Sequence, residues 1–409
     1  MTDHHYRAGR ERGRRLRDAI RHNLAGFRRA LDRQGIDPGT VRSAAADCEE
    51  RLPGWALAET RGKAEAAGVE YRDLLAFDCF EGLVQPDGCT VGIAAGDAAA
   101  SGDTVFFKQS DKKGADEFEG GDYHQHQQIN VVRVIEPEDP DRNRVLGVTA
   151  AGSTAVKMGI NEEGVAIGSN ISRTVTFDEA GSDSRDWAAA SRGAYMREGL
   201  HHGDTAVEVA QHITPRLFSD PMSSPGNIDV ADADRAVVLE GEFTHLAGEW
   251  VEDGVVARAN KFEVLDDLAR SEDEIPSSYR RYERVSGTLD SEAGDVDVAT
   301  MRDLSVDHAN GPGLQSICRH QEGDYTDETS LSAAVFDIDG DDPADSDVYV
   351  ALGKPCHAWR TDEGEGWIHL TAGATAEDVP EDFRTGDAWL EHYTEEPYAG
   401  EREVAALDD

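Results

Sequence analysis

Lysine is scarce in this chain: seven residues in 409, against 33 arginines. All basic residues together number 40, about half of the 82 aspartates and glutamates, and the formal net charge is −42. So negative a surface disfavours nucleic acid as a partner, because phosphates would be repelled. Long apolar runs are missing too. No stretch approaches the roughly 20 residues needed to span a bilayer, and the charged N-terminus lacks the apolar centre of a secretory signal. Cysteine is sparse and irregular: Cys48, Cys79, Cys89, Cys318 and Cys356 form no Cys-x-x-Cys pair. That spacing suggests neither a disulfide framework nor a zinc site, and an odd count fits a reducing compartment with room for one reactive thiol. No glycine-rich phosphate loop is present. The expectation is a cytoplasmic protein with no membrane partner, no cofactor and no metal.

What is abundant is acid, spread through the chain instead of gathered in one tail. A cationic partner is one reading. A surface adapted to molar salt is the better one, since the Debye length there falls to about 3 Å and self-repulsion is screened. The hydrophobic share of 39% supplies a sizeable core. No repeat or Gly/Ser linker divides the chain.

Residues 6–34 read as one amphipathic helix, with Leu16, Ile20, Leu24, Phe27 and Leu31 at steps of three and four. Ten arginines against four acids make residues 1–34 the one basic segment, suited to packing on the acidic body. Helices continue to about residue 84, with Gly68 placed to end one of them. At Cys89 the texture turns to strands: Thr90–Ala95 and Thr104–Gln109 as a hairpin, then runs at 129–135, 145–149, 156–160 and 165–170. Two helices follow at 184–199 and 204–218. Strands return at 228–231, 236–240, 245–250 and 255–259. Helices at 277–290 and 298–309 precede late strands at 332–337 and 348–352. The acidic stretch from about 361 reads as loosely structured. Two facing sheets with helices outside would bury such strands, as a helical segment 1–88 and a body 89–409.

Gly88-Cys89-Thr90, at the junction of helical and strand textures, is the candidate reactive centre. An isolated cysteine is usually a small core residue. Here, however, Gly88 presents an unhindered carbonyl to the thiol and tolerates strained backbone. Attack on that carbonyl would give a thioester, and its hydrolysis would free the Cys89 α-amine. Such an amine titrates near 7.7–8.0, close to what a general base needs at neutral pH, so one residue would supply nucleophile and base. His124-x-His126 and His201-His202 raise the question of a metal. They lack a carboxylate or cysteine at ligand spacing and read as surface or loop histidines.

Several elements in order resemble the acyl-coenzyme A:6-aminopenicillanic-acid acyltransferase family of N-terminal nucleophile hydrolases. They are Gly88-Cys89-Thr90, Lys108-x-x-Asp111, Asn161-Glu162-Glu163-Gly164 running to Asn170, and Ala259-Asn260-Lys261-Phe262. Tyr6–Gly13, Thr60–Ala64 with Leu74–Phe77, Ser316–His320 and Gly353–Cys356 are similar to the family's terminal signatures. The resemblance implies an α+β, four-layer αββα sandwich that cuts itself between Gly88 and Cys89. It also implies two associating fragments, an oligomer being open, and a small-molecule amide or acyl substrate. Cys89 matches the nucleophile, Lys108 a cation beside it, and Asp111 the carboxylate that holds the new amine. Asn170 matches an oxyanion donor, and Asn260 a second one, with Asn227 competing. Arg281, or Arg280 if the register slips, resembles the arginine of Ser-x-x-Arg. Gln109-Ser110 and Ala-Asn-Lys-Phe depart from the family pattern and bear on substrate choice. The implied activity is hydrolysis of a linear amide through a Cys89 thioester. An acyl-coenzyme A-dependent N-acyltransferase and an uncut, non-catalytic binding relative are the alternatives.

Overall fold

The computed structural model describes residues 2–84, 87–113, 128–176, 192–219, 225–242, 245–311, 313–320, 328–356 and 367–388. His124 and His126 lie outside them, as does the first part of the helix expected at 184–199.

The chain begins with five helices: α1 (Thr2–Arg15), α2 (Arg17–Arg33), α3 (Pro38–Cys48), α4 (Gly54–Ala67) and α5 (Tyr71–Val84). The single helix expected over 6–34 is two, jointed at Leu16. Leu16, Ile20, Leu24, Phe27 and Leu31 are all buried, so the spacing is read correctly from the joint through α2. What sets the direction of α1 is its close crossing with α4. A methyl group at Gly9 would overlap the Glu59 carbonyl, and one at Gly62 the Tyr6 carbonyl. Both glycines let two backbones touch. Gly68 ends α4 in the left-handed region, at φ 67°.

One sheet has the order β10-β1-β2-β11-β12-β13. Its strands are β1 (Asp87–Ala95), β2 (Thr104–Lys113), β10 (Gly254–Arg258), β11 (Glu328–Ile338), β12 (Asp347–Leu352) and β13 (Trp367–Thr371). The other runs β3 (Asn130–Ile135), β4 (Val145–Ala150), β5 (Met158–Asn161), β6 (Ala166–Ile171), β7 (Gly226–Ala231), β8 (Ala236–Glu242) and β9 (His245–Val251) in sequence order. Every named pairing is antiparallel. Between β5 and β6 the expected tight turn forms on Asn161. Its Oδ1 accepts from the Glu163 and Val165 amides, and Gly164 takes φ 73°.

The sheets face each other. Val91, Ile93 and Phe106 of the first share one core with Met158 and Ile160 of the second. The first sheet's other face packs Ala94, Phe107 and Val335 under α8 (Pro276–Ser291) and α9 (Val298–Ser305) through Val285, Leu289, Met301 and Leu304. The second sheet's outer face is covered by α6 (Arg192–His202) and α7 (Ala206–Ser219). The result is the α+β, four-layer αββα sandwich, with the N-terminal helices joined to it. Asn23 ties them in, donating to the carbonyls of Ile129 and Ala151 and accepting from the Ile129 amide.

One expectation is corrected. From about 361 the chain was expected to be loose, yet Trp367–Thr371 is an edge strand paired with β12, and α10 (Glu381–Thr385) follows. Trp367, Ile368 and Leu370 are buried. The short strand signal was masked by the Gly, Asp and Glu around it. Residues 361–366 and 389–409 are outside the described set.

Candidate active site around Cys89

Strand β1 pairs with β2 along its whole length, from Asp87↔Lys112 to Ala95↔Thr104. Its other neighbour, β10, pairs only from Val91↔Arg258 to Ala95↔Gly254. On that side Cys89 therefore has no strand beside it, and side chains take over. Asn260 Oδ1 accepts the Cys89 N–H at 3.2 Å. Arg281 Nη1 donates to the Cys89 carbonyl at 2.5 Å and to Thr90 Oγ1 at 2.8 Å. Arg281 Nη2 donates to Asn260 Oδ1 at 2.6 Å, closing the group. Asn260 is fixed from behind, its Nδ2 bonding the Ile171 carbonyl at 2.8 Å while its own carbonyl accepts from the Arg173 amide.

Alternation along β1 places the side chains. Cys89, Val91 and Ile93 point into the gap between the sheets, and Thr90 points out toward α8. Residues paired across the ladder share a face, so Ser110 and Lys108 lie on the thiol's side, while Gln109 and Asp111 lie on the other. Asn170 also faces the gap. It is opposite Asn227 on β7, two residues past Gly168, where an added methyl would press on the Lys108 stem. The site thus straddles the first sheet.

The expected residues fall into two groups. On the thiol's side, Lys108 is 1% exposed and donates to the Gln109 carbonyl at 2.6 Å. Asn170 Nδ2 donates to the Ala259 carbonyl at 3.3 Å, which leaves its second N–H. On the outer side, Asp111 sits opposite Gly88 in the β1–β2 register. Its Oδ1 accepts from Ser330 Oγ at 2.8 Å and from Gln109 Nε2 at 3.3 Å. Its Oδ2 is buried without a hydrogen bond, 3.6 Å from Arg319 Nε. The Cys89 amide hydrogen goes to Asn260, not to Asp111.

The two pairs of alternatives differ in position. Arg281 is fully buried at Cys89, whereas Arg280 is exposed. Asn260 touches Cys89, whereas Asn227 accepts from Ser172 Oγ at 3.0 Å.

Arg319 was not singled out from the sequence. It is 2% exposed and, with Arg281, brackets Ser277: Arg319 Nη2 donates to Ser277 Oγ at 2.5 Å and Arg281 Nε at 3.3 Å. Burial, then the neighbouring Arg281, lowers the Arg319 pKa to about 9, with Asp111 opposing. Burial likewise lowers that of Arg281. Ser277 was legible only by its place one helical turn before Arg281 on the same face, since Ser-x-x-Arg pairs Arg281 with Ser278. Asp229, on β7 opposite Gly168, was not. Both its oxygens are buried without hydrogen bonds, and burial raises its pKa to about 7 despite Arg258 and Lys108.

His201 and His202 end α6. His201 Nδ1 lies 2.7 Å from the Asn143 carbonyl, and burial takes its pKa down to about 3. His202 stacks on His212, with Glu198 near enough for the three to share an ion.

No family model matches the chain, and no curated protein matches it in sequence. Solved structures resembling it include the Caenorhabditis elegans ortholog of N-acylethanolamine-hydrolyzing acid amidase. That match has 11% identity and a TM-score of 0.38, over 60% of this chain and 92% of that one. A mutant of conjugated bile acid hydrolase from Clostridium perfringens aligns at 9% and 0.40, over 71% and 94%. Penicillin V acylase from Agrobacterium tumefaciens aligns at 11% and 0.32, over 64% and 83%. No residue's role rests on these likenesses.

Proposed function

We propose that the chain is an autoprocessing cysteine amidohydrolase that cuts itself at Gly88–Cys89 and then cleaves a linear amide through a Cys89 thioester. The observation carrying this reading is the replacement of the strand ladder at Cys89 by Asn260 and Arg281. The amide nitrogen that would become the α-amine already has a side-chain acceptor at 3.2 Å, so cutting frees it into a prepared place.

In the first reaction the Cys89 thiol adds to the Gly88 carbonyl carbon, and its proton passes to the Cys89 nitrogen as the C–N bond breaks. Water then hydrolyses the thioester, leaving the Gly88 carboxylate and a Cys89 with free thiol and amine. In turnover the amine takes the thiol proton, the sulfur adds to the substrate carbonyl, and the amine returns the proton to the departing nitrogen. Water, deprotonated by the same amine, releases the acid. Asn170, on the thiol's side with one amide hydrogen to spare, is the proposed oxyanion donor, and Lys108 the cation on that side. Asp111, opposite Gly88 with one bare oxygen, steadies the amine's side together with Arg319. An acyltransferase would share the first half-reaction and pass the acyl group to an amine; coenzyme A dependence would be its signature. In molar salt the acidic surface keeps the protein dispersed, which sets the assay conditions.

The test uses N-acyl aminocoumarin amides of graded chain length in molar salt. Asn260→Ala lowers both self-cutting and turnover by about 10²–10³-fold, the usual loss for one preorganised donor or holder. A Cys89→Ala chain that released amine at the wild-type rate would overturn the assignment.

A further inference from the structure

His308, Cys318, His320 and Cys356 come from three separate places in the chain: the turn after α9, the segment entering β11, and the residues just after β12. All four are buried, at 5%, 0%, 3% and 1% exposure. One ligand-capable atom from each lies within 4.8 Å of all the others. His308 Nε2 is 3.1 Å from His320 Nε2, Cys356 Sγ is 3.3 Å from it, and Cys318 Sγ is 3.9 Å from it.

A tetrahedral zinc ion sets such separations. With Zn–N near 2.0–2.1 Å and Zn–S near 2.3 Å, nitrogens around one ion sit about 3.3 Å apart and a nitrogen and a sulfur about 3.6 Å. The three distances fall within about 0.3 Å of those values. The donor set also fits: two imidazoles and two thiols are the usual choice of a zinc-class ion, and two thiolates would neutralise its charge in a buried site. A cluster of merely apolar cysteines would not bring two imidazole nitrogens to the same point.

We propose that His308, Cys318, His320 and Cys356 form a closed, four-ligand structural site for zinc. With no ligand position left open, it is a structural and not a catalytic centre. Its consequence for the Cys89 region is direct. Arg319 stands between two ligands, its amide bonded to Ser330 Oγ at 2.9 Å and its carbonyl to the Ser330 amide at 3.0 Å. The metal clamps the segment that delivers Arg319 to Ser277 and Ser330 to Asp111. The proposal stands whether or not Cys89 is a nucleophile.

The experiment measures metal in the full chain, produced with zinc in the medium and desalted without chelator. One zinc per chain is expected, along with a thiolate-to-metal absorption band when Co²⁺ replaces it. Cys356→Ser and His308→Ala lose the equivalent. Cys48→Ser, a buried cysteine outside the cluster, and His202→Ala both retain it. The proposal is overturned if the wild-type chain neither carries zinc nor shows the Co²⁺ band after metal is added. It is equally overturned if the metal leaves with His202→Ala and stays with Cys356→Ser. The wild-type spectrum decides the matter even if the ligand variants fail to fold.

Discussion

Two buried carboxylates, Glu59 and Asp111, both sit among arginines, and the difference between them separates a structural lock from a candidate active site. Glu59 Oε1 meets Arg12 Nη1 and Arg133 Nη2, each at 2.9 Å, and Lys63 Nζ at 3.4 Å; Glu59 Oε2 meets Arg197 Nη1 at 2.8 Å. Both oxygens are used. These contacts tie α1 and α4 of the helical segment to β3 and α6 of the body, so the carboxylate joins the parts on either side of the proposed cut. Asp111 instead keeps one oxygen bare, facing Arg319 at 3.6 Å and standing across from Gly88. A buried oxygen left without a bond costs about 1–3 kcal/mol.

Removing Glu59 should produce the largest structural effect. Glu59→Ala leaves three buried cations, Lys63, Arg133 and Arg197, and the half-buried Arg12 facing one another and lowers unfolding stability by roughly 3–5 kcal/mol, read by denaturant titration in high salt. Burial alone would raise the Glu59 pKa, but Arg197, Arg12, Arg133 and Lys63 overrule it and hold it well below the usual value. Its stabilising contribution is therefore present above about pH 4.3 and lost as pH falls toward the folded value. If Glu59→Ala melted like the wild type, the carboxylate would not be a lock.

Asp229 sharpens the contrast, because it is buried with no hydrogen bond to either oxygen. With its folded pKa near 7 above an unfolded value near 3.9, it contributes fully below pH 3.9 and is progressively unfavourable as pH rises to 7. Asp229→Asn should gain about 4 kcal/mol over the wild type at pH 8 and nothing at pH 3.5, an order-of-magnitude figure from about 1.36 kcal/mol per unit. A pH-independent difference would remove Asp229 from this account.

Asp111→Asn keeps the shape and discards the charge. Here the melting temperature should move little, while self-cutting and amide turnover fall by about 10²–10³-fold, about 3–4 kcal/mol in the barrier. The reverse outcome, lost stability with unimpaired cutting, would make Asp111 a second Glu59.

Much of this was legible in the sequence for identifiable reasons. The change at Cys89 from helical to alternating texture marks where β1 enters the sandwich, and the Leu16–Leu31 spacing marks the buried face of α2 from an unforeseen joint onward. Gly9, Gly13 and Gly62 were visible as motifs, but their use, bringing α1 and α4 into backbone contact, needs three dimensions. The same holds for Arg319 and the metal cluster. Cysteine spacing alone argued against zinc, because the ligands stand at 308, 318, 320 and 356 and converge only through β11 and β12. Asn260 was found by motif; its contact with the Cys89 amide follows from where β10 stops, which no local pattern records.

The central claim is that Cys89 becomes an N-terminal residue. Intact mass of the chain purified in molar salt, with and without a thiol-alkylating reagent, tests it most directly. The account predicts two fragments, 1–88 and 89–409, with the label on Cys89 of the larger one, and a single full-length species for Cys89→Ala. A wild-type chain that stays whole, with Cys89 unlabelled, would contradict it.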